Sequence, residues 1–259
     1  MTGACEGCQS GVKLNFDFTM AFQPILNTDT ASVWGYEALI RGMAGEGAWS
    51  VLSQVQDEQR YKFDQECRVK AIELASRLFP NNNGAVPRLS INFLPNAVYE
   101  PAACLRATLA AARKHAFPRE AIMFEFTENE MVRDTKHLRS IIAEYRRQGF
   151  VTAIDDFGAG YAGLGLLADF QPDLIKLDME LIRGIDTSKA RQAIVAGVMH
   201  MTRALDIAVL AEGVETQAEF LVLKEAGVTL FQGYWFAKPG FESLPALVPE
   251  AQQTLRQAA

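Results

Sequence analysis

Cysteine is scarce in this 259-residue chain, occurring only at positions 5, 8, 67 and 104. That spacing is no disulfide framework, which points to a reducing compartment and sets the expectation of a cytoplasmic protein. Cys5 and Cys8 form a C-x-x-C pair, but no second pair follows at zinc-site spacing. The pair reads as part of a flexible N-terminal tail, residues 1–17. Histidine is scarcer still, and His115, His137 and His200 all fall in helical or loop segments. No apolar run approaches membrane-spanning length. The N-terminus lacks a basic start followed by an apolar stretch, so no signal peptide is expected. Positive charge is in deficit: 25 Lys and Arg stand against 31 Asp and Glu, a net charge of −6. That balance argues against a nucleic-acid polymer or an anionic membrane as the main partner. An acidic protein that handles a polyanion needs cations to offset its own field.

What is present is ample core material, with 49% hydrophobic residues. Apolar runs that read as strands cover residues 18–26, 33–40, 88–93, 121–126, 150–155, 173–177, 207–211 and 228–231. Amphipathic helical patterns lie between the later ones. Leu138, Ile141, Ile142 and Tyr145 follow helical spacing, and Gly149 supplies a C-terminal stop. Thr216 and Glu219 form a capping box ahead of Phe220 and Leu223, with Gly227 closing that helix. Phe63, Cys67, Ala71, Leu74 and Leu78 mark a further helix. Alternating strands and helices imply parallel pairing through right-handed crossovers, and eight strands in this length suggest a closed barrel. Only "NTDTAS" separates the first two strands, too short for a crossover, so they should form an antiparallel hairpin. The expectation is an α/β fold, a modified (β/α)8 TIM-like barrel with one antiparallel strand, spanning residues 18–259 with the C-terminal helix included. A doubly wound open sheet is the alternative.

The segment "TAIDDFGAGYAGL", residues 152–164, ends an apolar strand in two adjacent acids. A solvated turn would account for them, and so would a cation held between them. Other predicted strand ends weigh on that choice. Glu37, Asn92, Glu125, Asp155 with Asp156, Lys176, Glu212 and Gln232 all fall at or near the C-terminal ends of strands, where barrels of this type carry their sites. Any one alone reads as a solvated polar residue; together they read as a ring of oxygen ligands. Carboxylates and amides without imidazole or thiolate suit Mg²⁺ or Mn²⁺. So many acids in one pocket call for two such cations, one carboxylate bridging them, a pair suited to in-line phosphoryl displacement. Lys176 could instead be a Schiff-base nucleophile. Among acids, however, it stays protonated and reads as a cation that orients water or stabilises phosphoryl charge.

The motifs "FQPIL", "YEALIRG", "SINF", "FEFTEN", "AIDDFGAGYAGL", "IKLD", "LAEGVET" and "FQGYWFAKP" resemble EAL-domain cyclic di-GMP phosphodiesterases, in the family's order, from residue 18 to about 245. The resemblance implies a barrel with one antiparallel strand that hydrolyses cyclic di-GMP to linear pGpG with two Mg²⁺ or Mn²⁺ ions. It implies metal ligands at Glu37, Asn92, Glu125 and Asp155, with Asp155 bridging and Asp156 on the second ion. Lys176 and Glu212 resemble the residues that position and activate water, Glu212 as general base. Glu215 and Gln232 look like supports of the second metal or its water network, Asp178 like a loop support, and Glu128 like the acid that pins the loop after Asp156. Gln23, Leu39 and Arg41 resemble substrate contacts, Arg41 on a phosphate.

Against the family's frequent "DFGTGYSSL", Ala159, Ala162 and Gly163 replace hydroxyl residues. That puts the rigidity and regulation of the loop in question. The sequence also looks like EAL domains attached to blue-light-sensing modules, with no such module in these 259 residues. The family analogy further implies a homodimer through residues 178–203. Two non-catalytic readings stand beside the enzyme: a cyclic di-GMP receptor that signals through protein contacts, and a protein–protein regulator with a vestigial pocket.

Overall fold

A computed structural model of the chain describes residues 13–80, 86–98, 100–127, 135–160 and 163–258. Cys5, Cys8, Glu128 and Ala162 lie outside the described residues. The first half runs β1 (Thr19–Asn27), β2 (Ser32–Arg41), α1 (Ala48–Leu52), α2 (Arg60–Leu78), β3 (Arg88–Asn92), α3 (Pro101–Cys104), α4 (Arg106–Lys114), β4 (Ile122–Thr127) and α5 (Thr135–Arg147). The second half runs β5 (Val151–Phe157), α6 (Gly163–Asp169), β6 (Leu174–Leu177), α7 (Met179–Ile182), α8 (Lys189–Ala204), β7 (Ala208–Ala211), α9 (Gln217–Glu225), β8 (Leu230–Phe231), β9 (Gly240–Phe241) and α10 (Pro249–Ala258).

Strands β2 to β8 pair in parallel in sequence order, and β1 closes the ring by pairing antiparallel with both β2 and β8. The barrel and its single reversed strand therefore match the reading of the short first connection, and the open-sheet alternative falls. Barrel closure leaves an extra strand, β9, which pairs with β1 at Ala21 and Phe22, beyond the reach of β8. No periodicity announces a two-residue strand, and β9 was not expected. β8 is shorter than residues 228–231 because Val228 N donates back to the Leu223 carbonyl of α9 at 3.1 Å.

The capping box at Thr216 forms, with its hydroxyl accepting from Glu219 N at 3.2 Å and the Glu219 carboxylate accepting from Thr216 N at 3.1 Å. Gly149 ends the segment after α5 with a positive φ of 87°, a conformation glycine adopts without cost. Within residues 1–17, Leu14 and Phe16 pack against the core, and the Gln59 amide donates to the Lys13 carbonyl at 3.1 Å. Among the described residues, no helix is long and apolar enough to cross a membrane.

Inside the barrel, Ile25, Met123, Ala153, Leu174, Leu210 and Leu230 form a separate buried apolar layer. Each full-length aliphatic side chain there is worth about 1.5–3 kcal/mol of burial. Strand side chains alternate faces, so the next inward residue lies two positions along. On β4 to β8 that residue is Glu125, Asp155, Lys176, Glu212 and Gln232 in turn; on the reversed β1 it is Gln23. The strand period thus stacks a polar layer directly upon an apolar floor.

Candidate active site

Lys176 is the centre of that polar layer. Its ammonium is fully buried and meets four carboxylates: Glu125 at 2.7 Å, Asp155 at 3.1 Å, Glu37 at 3.7 Å, and Glu212 in direct contact. Burial alone would lower the lysine pKa, but Asp155, Glu125, Glu212 and Glu37 together hold it well above its ordinary value. Lys176 is therefore a fixed cation, and the amine-nucleophile alternative has no free base to work with.

The acids respond in the opposite sense. Burial, only partly offset by Lys176 and reinforced by Glu37 and Asp155, pushes Glu125 up to about 8. Glu212 is raised well above the carboxylate range, again first by burial. Asp156 rises to about 6 through burial and the neighbouring Asp155 and Asp178. One ammonium does not neutralise this much negative charge, and the pocket takes up protons.

Hydrogen bonds lock the donors in place. The buried Ser90 hydroxyl donates to one Glu125 oxygen. The Asn92 amide donates to Glu37 Oε1 at 2.9 Å, and the Gln232 amide donates to Glu37 Oε2 at 2.7 Å and to Gln23 Oε1 at 3.1 Å. Gln23 in turn donates to the Ala237 carbonyl at 3.2 Å. Gln232 Oε1 is buried and finds no hydrogen-bond partner among the described residues.

Two carboxylate trios have ligand oxygens within 4.8 Å of one another: Glu37, Glu125 and Asp155, and then Asp155, Asp156 and Glu212. Asp155 belongs to both. The backbone explains how adjacent acids serve one rim. Strand β5 runs past them to Phe157, with an irregularity in its pairing to β6 after Ile154. Asp156 adopts a positive φ of 53°, and its N–H donates to Asp155 Oδ1 at 3.0 Å. This bulge breaks the alternation that would have sent Asp156 to the outer face.

Above the trios opens a cleft of about 230 Å³, lined by Gln23, Glu37, Asp156, Asp178, Glu212, Glu215 and Gln232 among others. Asp178 caps α7 by accepting from Glu180 N at 2.7 Å. Glu215 pairs with Arg183 at 2.7 Å. Leu39 and Arg41 share the inward face of β2 with Glu37 but do not line this cleft; Arg41 donates to the Ile40 carbonyl at 2.7 Å. The expectation for Glu128 lies outside the described residues. Sequence reasoning passed over Ser90, the Ala237 carbonyl, Met179 and Tyr234, of which the last two also line the cleft. Only Ser90 carried a signal, being two residues before Asn92 and hence on the same face.

A closed barrel with one reversed strand and an acid-lined rim defines the class, and sequence comparison agrees. The sequence matches the family model described as EAL domain over residues 9–239. The chain belongs to the EAL-domain family. A standalone versatile EAL protein from Vibrio cholerae O395, solved in its c-di-GMP-bound form, is 57% identical with a TM-score of 0.87, covering 92% of this chain and 98% of that one. Klebsiella pneumoniae BlrP1, solved as a calcium/cy-diGMP complex, is 36% identical with a TM-score of 0.83, covering 89% of this chain and 57% of that one. The blue light- and temperature-regulated antirepressor BluF of Escherichia coli is 31% identical over 93% of this chain and 59% of its own length. The cyclic di-GMP phosphodiesterase PA2567 of Pseudomonas aeruginosa is 29% identical over 86% of this chain and 38% of its own length. The chain thus spans less than two thirds of the length of these two curated relatives.

Proposed function

We propose that this chain is a metal-dependent phosphodiesterase that hydrolyses cyclic di-GMP to linear pGpG. The observation that carries the reading is the pair of carboxylate trios sharing Asp155 around a buried ammonium. The donor set fits hard divalent cations: carboxylate and amide oxygens, raised acid pKa values that signal uncompensated charge, and the orphaned Gln232 Oε1. Glu37, Asn92, Glu125 and Asp155 would hold one Mg²⁺ or Mn²⁺, and Asp155 and Asp156 a second. When bound, such ions neutralise phosphate charge and lower the pKa of a water. In this reading Glu212 takes the proton of the attacking water, and Lys176, in contact with Glu212, fixes its carboxylate and opposes phosphoryl charge. The water oxygen bonds to phosphorus, one phosphorus–O3′ bond breaks, and the leaving 3′ oxygen takes a proton, which opens the ring to a 5′-phosphorylated dinucleotide. Gln23, Leu39, Arg41 and Gln232 serve as substrate contacts, and Glu128, Asp178 and Glu215 as supports.

The support from relatives is consistent: PA2567 is named as a phosphodiesterase of this substrate, and BlrP1 was solved with calcium and the same nucleotide. We place the protein in the cytoplasm, where a reducing medium suits a chain whose four cysteines show no disulfide framework in their spacing. We also propose a homodimer through α7 and α8. The antirepressor name of BluF favours a second reading, binding of the nucleotide without turnover. Incubation with cyclic di-GMP and Mn²⁺ separates the two. Turnover to pGpG, abolished in Glu37→Ala and Glu212→Gln, is the expected result; tight binding with no product supports the receptor and sinks the enzyme.

A further inference from the structure

The most deeply buried charge outside the cleft is Arg68 on α2, with no solvent exposure, paired to the buried Asp64 one turn earlier. Arg68 Nη1 donates to the Tyr145 hydroxyl of α5 at 2.9 Å. Its guanidinium lies over the rings of Phe93, Phe124 and Tyr145 at 5.5, 5.2 and 5.8 Å. Yet Arg68 Nε has no hydrogen-bond partner among the described residues. A buried ion pair with an unmet donor is a poor device for stability, because desolvation offsets most of its attraction. Its geometry points to another use.

Asp64 has a second task. Its other oxygen accepts the Leu94 N–H at 3.0 Å, just where the chain leaves β3. Phe93 N donates to the Glu125 carbonyl at 2.9 Å. The short stretch after Asn92 is therefore pinned twice, to β4 by Phe93 and to α2 by Leu94. Asn92 itself is exposed at the rim and holds Glu37 through its amide. Asn92 pairs in register with Glu125 of β4 but is the last residue of β3, so the anchor two residues later holds the strand end that carries it.

We propose that Asp64, oriented by Arg68, is a positioning residue that aims Asn92 into the metal-holding ring. The inference rests on the metal reading above, and the test keeps the two apart. Asp64→Asn/Arg68→Met removes both charges but keeps an acceptor for Leu94 N–H; Asp64→Leu/Arg68→Met removes the acceptor too. Calorimetric Mn²⁺ titration of the intact chain is the readout, with thermal melting as the check on folding. Asp64→Asn/Arg68→Met should bind Mn²⁺ close to wild type, while Asp64→Leu/Arg68→Met should lose about ten- to one-hundredfold in affinity.

Equal Mn²⁺ affinities in two folded double variants overturn the positioning role alone. A wild-type protein that binds no Mn²⁺ overturns the metal reading itself and this inference with it. Should either variant fail to fold, amide exchange in metal-free wild-type protein decides. Slow exchange at Leu94 supports the preset anchor, and exchange at the rate of an open loop overturns it.

Discussion

At the scale of single residues, the site is a problem of surplus negative charge, and its pH behaviour follows. Glu125 moves from an ordinary 4.5 to about 8, and Asp156 from 3.8 to about 6, burial being the first cause in each. Both folded values exceed the unfolded ones, so between them the folded state holds more protons. Stability from these groups is fully present below pH 3.8 and is lost as pH rises through about 6 and then about 8. A divalent cation must displace those protons, so its binding gains strength over the same window. The expected outcome is that Mn²⁺ raises the melting temperature of the protein more at pH 8 than at pH 5.5, with EDTA as reference. An equal or smaller gain at pH 8 would contradict a site built from protonated acids. The acids themselves were legible, because strand ends in a barrel collect at one rim. Their partners were less so. Ser90 reads as an ordinary strand residue, the Ala237 contact uses a main-chain carbonyl that any residue offers, and Asp64 with Arg68 reads as a surface i, i+4 pair. Burial, which sequence spacing does not report, separates such a pair from the one observed.

Among elements, the end of β8 shows how tightly neighbouring loops are joined. Gly233 follows Gln232, and a Cβ added there would lie 2.1 Å from the Val214 carbonyl oxygen and 2.4 Å from Val214 N. The close approach lets Val214 N donate to the Gln232 carbonyl, and Trp235 N to the Val214 carbonyl, both at 3.1 Å. These bonds tie the segment carrying Glu212 and Glu215 to the one carrying Gln232 and Tyr234. Backbone atoms, unlike a flexible side-chain tip, cannot step aside. Gly233→Ala is expected to cost about 1–3 kcal/mol or more in denaturant unfolding, with turnover falling further than that loss of folded protein explains. Unchanged stability and rate would mean that the loops reseat freely. The strands were readable as short apolar runs set between helical patterns, and the longer helices because eight or more residues establish a period; β9 and α7 are too short to show either. The β5 bulge was hidden for a related reason, since alternation predicts opposite faces for Asp155 and Asp156, and only a positive φ at Asp156 breaks it.

For the whole molecule, the remaining question is what covers α8. Along that helix Ala190, Ala193, Ile194 and Gly197 are exposed, Ile194 by 51%, and Gly197 has open space where a side chain would stand. Small residues there leave room for a second helix to approach, and a two-fold interface would use Ile194 twice. The same region reaches the cleft. Arg183, between α7 and α8, pairs with Glu215 at 2.7 Å, and Gly184 N donates to the buried Glu219 at 3.0 Å. Glu219 also accepts from Glu215 N at 3.0 Å, so a force on α8 meets the loop that follows Glu212. Ile194 is already half-buried, so covering the rest of it in both copies would contribute about 1.5–3 kcal/mol to a dimer. Ile194→Glu removes that gain and sets two carboxylates against each other. Light scattering after size exclusion is expected to show wild-type dimer and variant monomer, with Mn²⁺ binding retained by the variant because no site residue is altered. Wild-type protein that stays monomeric at every concentration tested would leave α8 a solvated face, and the contacts of Arg183 and Gly184 would then serve only to hold the cleft loop in place.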